Sequence, residues 1–394
     1  MSKITPNEKG VCAADGFFTD GISIGLKNEN EKDLAFIYSD VPCEIASVFT
    51  TNKMAAAPLR HFKNLGTFKT NFVLINAKNA NAMTGPEGIE DINDIFTSLK
   101  SKFTNLQNPV MSSTGVIGVR LPKEKIIKGA LSLDLSKKEP VRASEAIMTT
   151  DSFAKRIAFD IECESGSFSI GAMAKGAGMI NPSMATMLCF ITTDAMVDAE
   201  TMQEILDENV KITFNAASVD GDTSTNDTVL LLSNQKSGVF DKIAFSEALR
   251  RIMHFLALEM VRDGEGATKL VEYVIKGAKD NLEAEQAAKA LSDSLLMKTA
   301  LYGEDPNWGR IASTIGASGV QCDEALLSIY FNEFCVYEKG KHLFDEEMEV
   351  KAANVMKSSE FSISCDLGIA KGEFTAYGCD LGHEYVKINA DYRS

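Results

Sequence analysis

Several features that mark other classes of protein are missing from this sequence. No eighteen apolar residues run together, so no segment predicts a transmembrane helix. No five basic residues are adjacent, and the net charge of −15 argues against binding to phosphate backbones or anionic membranes. The N-terminal stretch MSKITPNEKGVCAADG lacks the apolar core of a secretory signal. We therefore expect a soluble, cytoplasmic protein that binds neither nucleic acid nor membrane.

Cysteine and histidine are too scattered to indicate a metal site. The eight cysteines stand singly, without a C-x-x-C pair, and none of the four histidines lies at ligand spacing from them. Cys189, between Leu188 and Phe190, is typical of a buried free thiol. We expect reduced, mostly buried cysteines and no bound metal.

The apolar pattern predicts a mixed α/β protein. The run at 71–76 is typical of a buried strand, and apolar residues at helical spacing over 92–103 predict a helix after it. Helices are also predicted over 201–217 and 242–262, with a strand at 228–233 between them. This alternation favours sheets packed with helices.

Later segments give two further predictions. Asp305 and Pro306 suit the N-cap and first residue of a helix that would stop near Gly316. From about residue 325 the pattern changes to short half-buried strands such as 361–367, which indicates a smaller C-terminal lobe.

Four polar or glycine-rich segments could carry chemistry. The hydroxyls and glycines of 112–118 could form an oxyanion hole or only a tight turn. Segment 219–228 lacks the order of a calcium loop, and 263–269 lacks the spacing of a phosphate loop. Segment 174–180 has no dinucleotide-binding spacing but offers a cation, Lys175. Taken one at a time, each also fits an ordinary turn.

The stretch NPSMATMLCF at 181–190 raises a sharper question. Thr186 precedes an apolar run and could simply be a good strand former. Alternatively, the chain is cut before Thr186, which would then carry a nucleophilic hydroxyl and its own amine as base.

Ten blocks in order along the chain resemble the ornithine acetyltransferase family of arginine biosynthesis, also called glutamate N-acetyltransferase. They are SDVP at 39–42, FTTN at 49–52, NAN at 79–81, STGVIG at 113–118, TTDSF at 149–153, KGAGMI at 175–180, MATML at 184–188, VDGDTSTNDT at 219–228, DGEGATK at 263–269 and GEDPNWGR at 303–310. Together these blocks are far more specific than any one of them.

The resemblance implies a self-cleaving, N-terminal-nucleophile type of fold. The precursor would cut itself between Ala185 and Thr186 into an α chain, residues 1–185, and a β chain, residues 186–394, which form one intertwined body. Thr186 would take acetyl from N2-acetyl-L-ornithine and pass it to L-glutamate by a ping-pong mechanism. No cofactor is implied, although acetyl-CoA could be a co-substrate, and the two chains would assemble as an α₂β₂ heterotetramer.

The same resemblance assigns site residues. Thr114 and Gly115 would form the oxyanion hole. The substrate-binding residues would be Thr149, Lys175, Thr186, Glu265, Asn389 and Ser394. The sequence departs from the family pattern at Lys78, where glycine is usual, at Met297, where valine is usual, and at Ser394, where threonine is common. Ser394 keeps the hydroxyl group, so its predicted role in substrate binding is unaffected. Lys78 puts the local loop geometry in question more than the chemistry.

Two other functions are compatible with these residues. A self-cleaving amidase or aminopeptidase would use the same nucleophile but transfer the acyl group to water. An uncleaved metabolite-binding protein would show a single chain on a denaturing gel.

Overall fold

The computed structural model describes residues 2–181 and 187–390. The chain divides into two compact units. The first contains Met1–Gly176, Ser183–Thr213 and Thr223–Leu256, and the second contains Ala177–Pro182, Phe214–Asp222 and Ala257–Ser394.

The described residues form sixteen strands and eleven α-helices. The strands are β1 Lys3–Asn7, β2 Phe17–Ile22, β3 Leu34–Phe49, β4 Thr70–Asn76, β5 Val110–Ser113, β6 Lys155–Cys163, β7 Gly166–Lys175, β8 Leu188–Thr193, β9 Ala217–Ser218, β10 Thr228–Ser233, β11 Leu270–Ala278, β12 Ser328–Phe331, β13 Phe334–Glu338, β14 Lys341–His342, β15 Glu360–Asp366 and β16 Gly372–Cys379. The helices are α1 Ala57–Asn64, α2 Glu87–Lys102, α3 Lys123–Ala130, α4 Pro140–Ala146, α5 Ala199–Ile212, α6 Lys242–Arg262, α7 Asn281–Asp293, α8 Leu295–Tyr302, α9 Trp308–Ala317, α10 Glu346–Met356 and α11 His383–Ala390. Short 3₁₀ turns lie at Gly10–Cys12 and Phe214–Ala216.

The first unit is built on one mixed sheet. Its strand order is β1-β6-β7-β8-β10-β3-β4-β5, with β2 also paired to β3. The pairs β8 with β10 and β4 with β5 are parallel, and the others are antiparallel. Because β8 and β10 are parallel neighbours, the residues that precede them lie at the same edge of the sheet.

Both faces of the central strands in this sheet are buried. Phe36 of β3 packs into a cluster with the apolar side of α2, including Ile95, whereas its neighbour Ile37 packs into a second cluster with Ala143 of α4. Alternate residues of a strand point to opposite faces, so helices must cover both sides of the sheet. The apolar runs at these strands are explained by that three-layer arrangement.

The second unit has its own sheet and core. The strand order is β14-β13-β12-β15-β11-β16-β9. Leu291 of α7 packs with Tyr273 of β11 and Ala376 of β16 in one apolar cluster. Asp280 caps α7, since its carboxylate accepts a hydrogen bond from the Glu283 backbone N–H at 2.9 Å.

Most of the predicted elements are confirmed. The strand at 71–76 is β4, the helix over 92–103 is α2, and the predictions at 228–233 and 242–262 match β10 and α6. The half-buried strand predicted at 361–367 is β15, whose buried and open residues alternate. The mixed α/β class is therefore confirmed.

The ends of helices α5 and α9 differ from the predicted ones. Helix α5 ends at Ile212 rather than near Ala217, because Thr213 leaves the helical region at φ −123° and ψ −89°. Helix α9 begins at Trp308, two residues later than predicted, because the side chain of Asn307 rather than Asp305 accepts from the Arg310 N–H. That helix also continues through Gly316 to Ala317.

Three composition-based predictions can be compared with the described residues. Five of the eight cysteines are buried and none is in a disulfide. No helix in the described ranges combines the length and apolarity needed to cross a membrane. Within the same ranges, no three His, Cys, Asp or Glu side chains are grouped so as to hold a metal ion.

Lys78, where the family pattern has glycine, adopts a left-handed backbone conformation with φ +68°. A side chain at such a φ crowds the following carbonyl group, at a cost of roughly 1–2 kcal/mol. Relief of this strain should raise the free energy of unfolding of Lys78→Gly by about 1 kcal/mol. The extra chain entropy that glycine gives to the unfolded state reduces this gain. Urea denaturation measures the change; a Lys53→Gly control, at an exposed lysine with no left-handed φ, should not stabilise.

Candidate active site

Thr114 and Gly115 follow strand β5, and their two backbone N–H groups differ in availability. The Thr114 N–H donates to the Asn76 carbonyl at 3.0 Å. Among the described residues, the Gly115 N–H donates to no backbone carbonyl group. An oxyanion hole at this turn would therefore use the Thr114 hydroxyl and the Gly115 N–H.

The turn requires glycine at position 115. Gly115 has φ +132°, and a Cβ atom there would lie 2.2 Å from the carbonyl carbon of Lys78. The Val116 N–H donates to the Lys78 carbonyl at 3.1 Å, which holds the two loops together. Thr114, which begins this turn, is buried.

Lys175 is the last residue of β7 and is buried. Its Nζ lies 3.3 Å from the Thr114 Oγ1, so the ammonium group donates to that hydroxyl. In the antiparallel pairing of β7 with β8, Lys175 lies opposite Leu188. The structure therefore brings Lys175 and Thr114 together and places both near the start of β8.

Thr149 is tied to this group through Asp151, to which the sequence analysis gave no role. The Asp151 carboxylate accepts from the Thr149 N–H at 3.0 Å and from the Gly176 N–H at 2.7 Å. It also forms a fully buried ion pair with Lys155 at 2.9 Å. One carboxylate thus joins the segment before β6 to the end of β7.

The charge on Asp151 is strongly favoured. Burial acts to raise the pKa of its carboxyl, but the Lys175 and Lys155 ammonium groups and the Thr149 N–H outweigh burial and lower it to about 2. Asp151 is therefore ionised at neutral pH and supplies negative charge beside Lys175. The signal for it was in the sequence, in the block TTDSF, where an acidic residue sits among hydroxyls just before a buried strand.

Segment 219–228, which could have been only a polar turn, is mostly a buried network in its second half. The Asn226 Nδ2 donates to the carbonyls of Ala80 and Ser113, at 2.6 and 2.8 Å. The Met187 N–H donates to the Asp227 carboxylate at 3.1 Å. Asn226 and Asp227 thus hold the loop after β4, the end of β5 and the start of β8 in place.

In the second unit, Glu265 and Asn389 lie next to each other. The Asn389 Nδ2 donates to the Glu265 Oε2 at 2.7 Å, and the Glu265 N–H donates to the Ala177 carbonyl at 2.8 Å. A Cβ atom on Gly178 would lie 2.5 Å from the Glu265 carboxyl carbon. The glycine in KGAGMI therefore makes room for this buried carboxylate.

Asp220 binds the chain that follows Gly178. Its carboxylate accepts from the backbone N–H groups of Met179 and Ile180, at 2.6 and 2.9 Å, and from the Tyr385 hydroxyl at 3.2 Å. Burial raises the pKa of this carboxyl, although the same N–H donors oppose the rise. The remaining predicted site residues, Ala185, Thr186 and Ser394, lie outside the described residues.

Comparison with known proteins places the chain in a family. Residues 18–394 match the profile described as "ArgJ family". The chain belongs to the ArgJ family. It is 61% identical over 396 residues to the arginine biosynthesis bifunctional protein ArgJ of Wolinella succinogenes, with 100% of both chains covered. The corresponding ArgJ protein of Symbiobacterium thermophilum is 42% identical over 98% of each chain.

Two solved structures with sequence similarity cover about half of the chain. The ArgJ crystal structure from Bacillus halodurans is 37% identical, with a TM-score of 0.47, and covers 50% of this chain and 96% of that one. The ornithine acetyltransferase of Mycobacterium tuberculosis, solved with ornithine, is 29% identical with a TM-score of 0.41, covering 48% of this chain and 100% of that one. The family resemblance drawn from the ten blocks is thus confirmed, and this ArgJ-family chain is an enzyme of arginine biosynthesis.

Proposed function

We propose that this enzyme transfers acetyl from N2-acetyl-L-ornithine to L-glutamate through an acetyl ester on Thr186, after cutting itself between Ala185 and Thr186. The observation that carries the proposal is the buried contact of the Lys175 Nζ with the Thr114 hydroxyl, in register with the start of β8. That contact supports the proposal, because Lys175 lies opposite Leu188, the first residue of the strand that follows the candidate nucleophile.

Self-cleavage needs the groups at the junction and one water molecule. The Thr186 Oγ attacks the Ala185 carbonyl carbon, a C–O bond forms, and the C–N bond breaks as the hydroxyl proton passes to the nitrogen. Water then hydrolyses the ester, which leaves a carboxylate on Ala185 and a free hydroxyl and α-amine on Thr186. An ordinary α-amine titrates at roughly pH 7.7–8.0, so a useful fraction is neutral and can act as a base at cellular pH.

Each half of the transfer passes through a tetrahedral oxyanion. In the first half the Thr186 Oγ bonds to the acetyl carbon, its proton passes to the α-amine, and ornithine leaves with that proton on its nitrogen. In the second half the glutamate amine attacks the ester, and Thr186 recovers its proton. The Thr114 hydroxyl and the Gly115 N–H would donate to the oxyanion in both halves.

The charges suit two amino-acid substrates. Lys175 could bind a carboxylate, and Glu265, held by Asn389, could bind the ornithine ammonium group. The resemblance adds Thr149, whose backbone Asp151 fixes, and Ser394. Membership of the ArgJ family, whose relatives are arginine biosynthesis proteins, supports amino-acid substrates of this class.

The test is a denaturing mass spectrum followed by initial-rate kinetics. Two fragments, the second starting at Thr186, are expected. Rates measured against N-acetylornithine at several glutamate concentrations should give parallel double-reciprocal lines, the pattern of a ping-pong mechanism. A single intact chain, or intersecting lines, would contradict the proposal and favour a binding protein or a ternary mechanism.

The rival amidase or aminopeptidase differs only in its acyl acceptor. Ornithine released at the full rate without glutamate would favour that hydrolase. The ArgJ relatives are bifunctional proteins, which supports a second activity. We propose that acetyl-CoA is the acetyl donor in that activity, and initial rates with acetyl-CoA as sole donor test this. We further propose an α₂β₂ assembly, a cytoplasmic location and catalysis without a cofactor, with light scattering as the test of assembly.

The role of Thr114 can be tested by an isosteric change. Thr114→Val keeps the shape of the side chain but removes the hydroxyl, and one lost oxyanion donor lowers kcat by about 10²–10³-fold. We expect KM to change little, because the oxyanion exists only in the transition state and intermediate. Thr114→Ser, which keeps the hydroxyl, is the control; a Thr114→Val enzyme with the kcat of the Ser variant would remove Thr114 from the oxyanion hole.

A further inference from the structure

Asp227 is a buried carboxyl group to which the proposed reaction assigns no part. Its exposed fraction is 0%. Its Oδ1 accepts from the Met187 N–H at 3.1 Å, and its backbone carbonyl accepts from the Thr50 N–H at 3.0 Å. Among the described residues its Oδ2 has no hydrogen-bond partner. A buried unsatisfied polar atom costs about 1–3 kcal/mol, so its presence calls for an explanation.

Within the described part of the chain, one oxygen of this carboxyl group is left without a hydrogen bond. Burial raises the pKa of Asp227 well above its usual range, although the Met187 N–H, the Lys175 ammonium and the hydroxyls of Thr50 and Ser224 act against this rise. Lys175 is the charged group with the largest effect on it. Among the described residues, the favourable contacts of this carboxyl group therefore do not offset the effect of its burial on the pKa.

Covalent geometry shows where positive charge would come from. Strands β8 and β10 pair in parallel with Leu188 opposite Thr228, so Asp227 and Met187 lie at the same level just before them. The nitrogen of Thr186 is three covalent bonds from the Met187 nitrogen that Asp227 binds, at most about 4.3 Å away. Cutting the chain before Thr186 turns that nitrogen from an uncharged amide into an amine that can carry a proton.

We infer that Asp227 is a positioning residue that binds the Thr186 α-amine of the cut enzyme, orienting it toward the hydroxyl and stabilising the ammonium formed when it takes the hydroxyl proton. This inference rests on the proposed function. It completes the arrangement in which a nucleophile is activated by a base and the base is oriented by a third group.

Asp227 gains and loses no proton over the catalytic cycle. The Thr186 hydroxyl proton moves to the α-amine as the Oγ–carbon bond forms, and it moves on to the ornithine nitrogen as the carbon–nitrogen bond breaks. Carboxyl and amine titrate as a coupled pair, with the single-proton form being carboxylate beside ammonium. The pairing raises the pH at which the amine becomes a free base, so it sets the acidic limb of the pH profile of kcat/KM.

The experiment compares Asp227→Asn with wild type as purified, cut enzyme. Asparagine keeps the volume and the acceptor for the Met187 N–H but removes the negative charge. We expect kcat to fall by about 100-fold, the low end of the effect of a positioned proton-transfer group, with KM little changed. The acidic limb of kcat/KM should move to lower pH by about 1–3 units, the usual effect of removing a nearby opposite charge.

Two further variants separate this role from a structural one. Asp227→Glu, which keeps a carboxylate, should restore part of kcat and move the limb back towards that of wild type. Asp222→Asn makes the same chemical change at an exposed position of the same segment and should behave as wild type. A structural defect alone would lower kcat or yield without moving the limb.

If Asp227→Asn stays uncut or fails to fold, a second measurement tests whether Asp227 binds the Thr186 α-amine. The pH dependence of labelling of the wild-type Thr186 amine by an amine-selective reagent, read by mass spectrometry, gives the pKa of that amine. A value above the ordinary 7.7–8.0 or so supports the inference, and a value within or below that range overturns it. A cut, active wild type with an unchanged Asp227→Asn variant overturns the inference alone, whereas an uncut, inactive wild type overturns the proposed function with it.

Discussion

Thr186→Ala is expected to remain a single chain of 42.8 kDa and to lose acetyl transfer. Alanine has no hydroxyl to attack the Ala185 carbonyl, so the peptide bond stays intact and no α-amine is formed. Removing the nucleophile of a comparable acyl-transfer enzyme lowers kcat by on the order of 10⁶. Denaturing mass spectrometry and an assay of ornithine release from N-acetylornithine measure the two effects.

Thr186→Ser is the matched control for this change. It keeps a hydroxyl and, after cleavage, an α-amine, so we expect two fragments and measurable transfer at a reduced rate. If Thr186→Ala is still cut at the same bond, or still transfers acetyl at more than a trace rate, then Thr186 is not the nucleophile.

Asp151→Asn is expected to lower the free energy of unfolding by about 3–5 kcal/mol, the usual cost of breaking a buried ion pair from one side. The change removes a negative charge 2.9 Å from the Lys155 Nζ, in a place where neither side chain meets solvent. Urea denaturation in a Thr186→Ala background, which keeps the chain in one piece, provides the measurement.

The double variant Asp151→Asn, Lys155→Met tests whether the ion pair accounts for the whole effect. Removing both charges should restore most of the stability, because neither charge of the pair is then left buried without its partner. Asp151 also binds the N–H groups of Thr149 and Gly176 and acts on Lys175. We therefore expect the cut double variant to be stable but still to have a raised KM. A double variant as unstable as Asp151→Asn would contradict this account.

The low pKa of Asp151 predicts how the stability difference between wild type and Asp151→Asn changes at acidic pH. Its pKa is about 2 in the folded protein, below the ordinary value of 3.8 for an aspartate carboxyl group. Between these values the unfolded chain binds more protons, so the contribution of this group to stability is present above pH 4 or so and is lost as the pH falls towards 2. The stability difference between wild type and Asp151→Asn should shrink over that range, and a constant difference would count against an ionised Asp151.

The sequence predicted those residues of the candidate site whose side-chain charge is itself unusual for the segment in which they lie. Lys175 and Glu265 stood out because a charge within a glycine-rich segment is unusual, and the structure indeed buries both. Asp151 and Asp227 did not stand out, because short polar segments often form simple turns. Their importance comes from the backbone N–H groups that they bind, those of Thr149, Gly176 and Met187, and such partners cannot be read from spacing.

The misplaced helix ends have a related cause. Asp305-Pro306 is a good local start signal, yet the side chain of Asn307 caps α9 instead. A cap depends on which of several neighbouring polar side chains reaches a free N–H, and differences between such residues amount to only tenths of a kcal/mol to about 1 kcal/mol. Tertiary packing easily outweighs preferences of that size.

The sequence by itself determined the family, the α/β class and most of the strands and helices, because ordered motif blocks and apolar periodicity are local properties of the chain. Only the tertiary structure decided which groups meet. It placed Lys175 against Thr114, Asn389 against Glu265, and Asp227 against the residue after Thr186. The physical reason is that a buried polar group must find its partner across the fold, and partners far apart in sequence become neighbours only when the sheets are assembled.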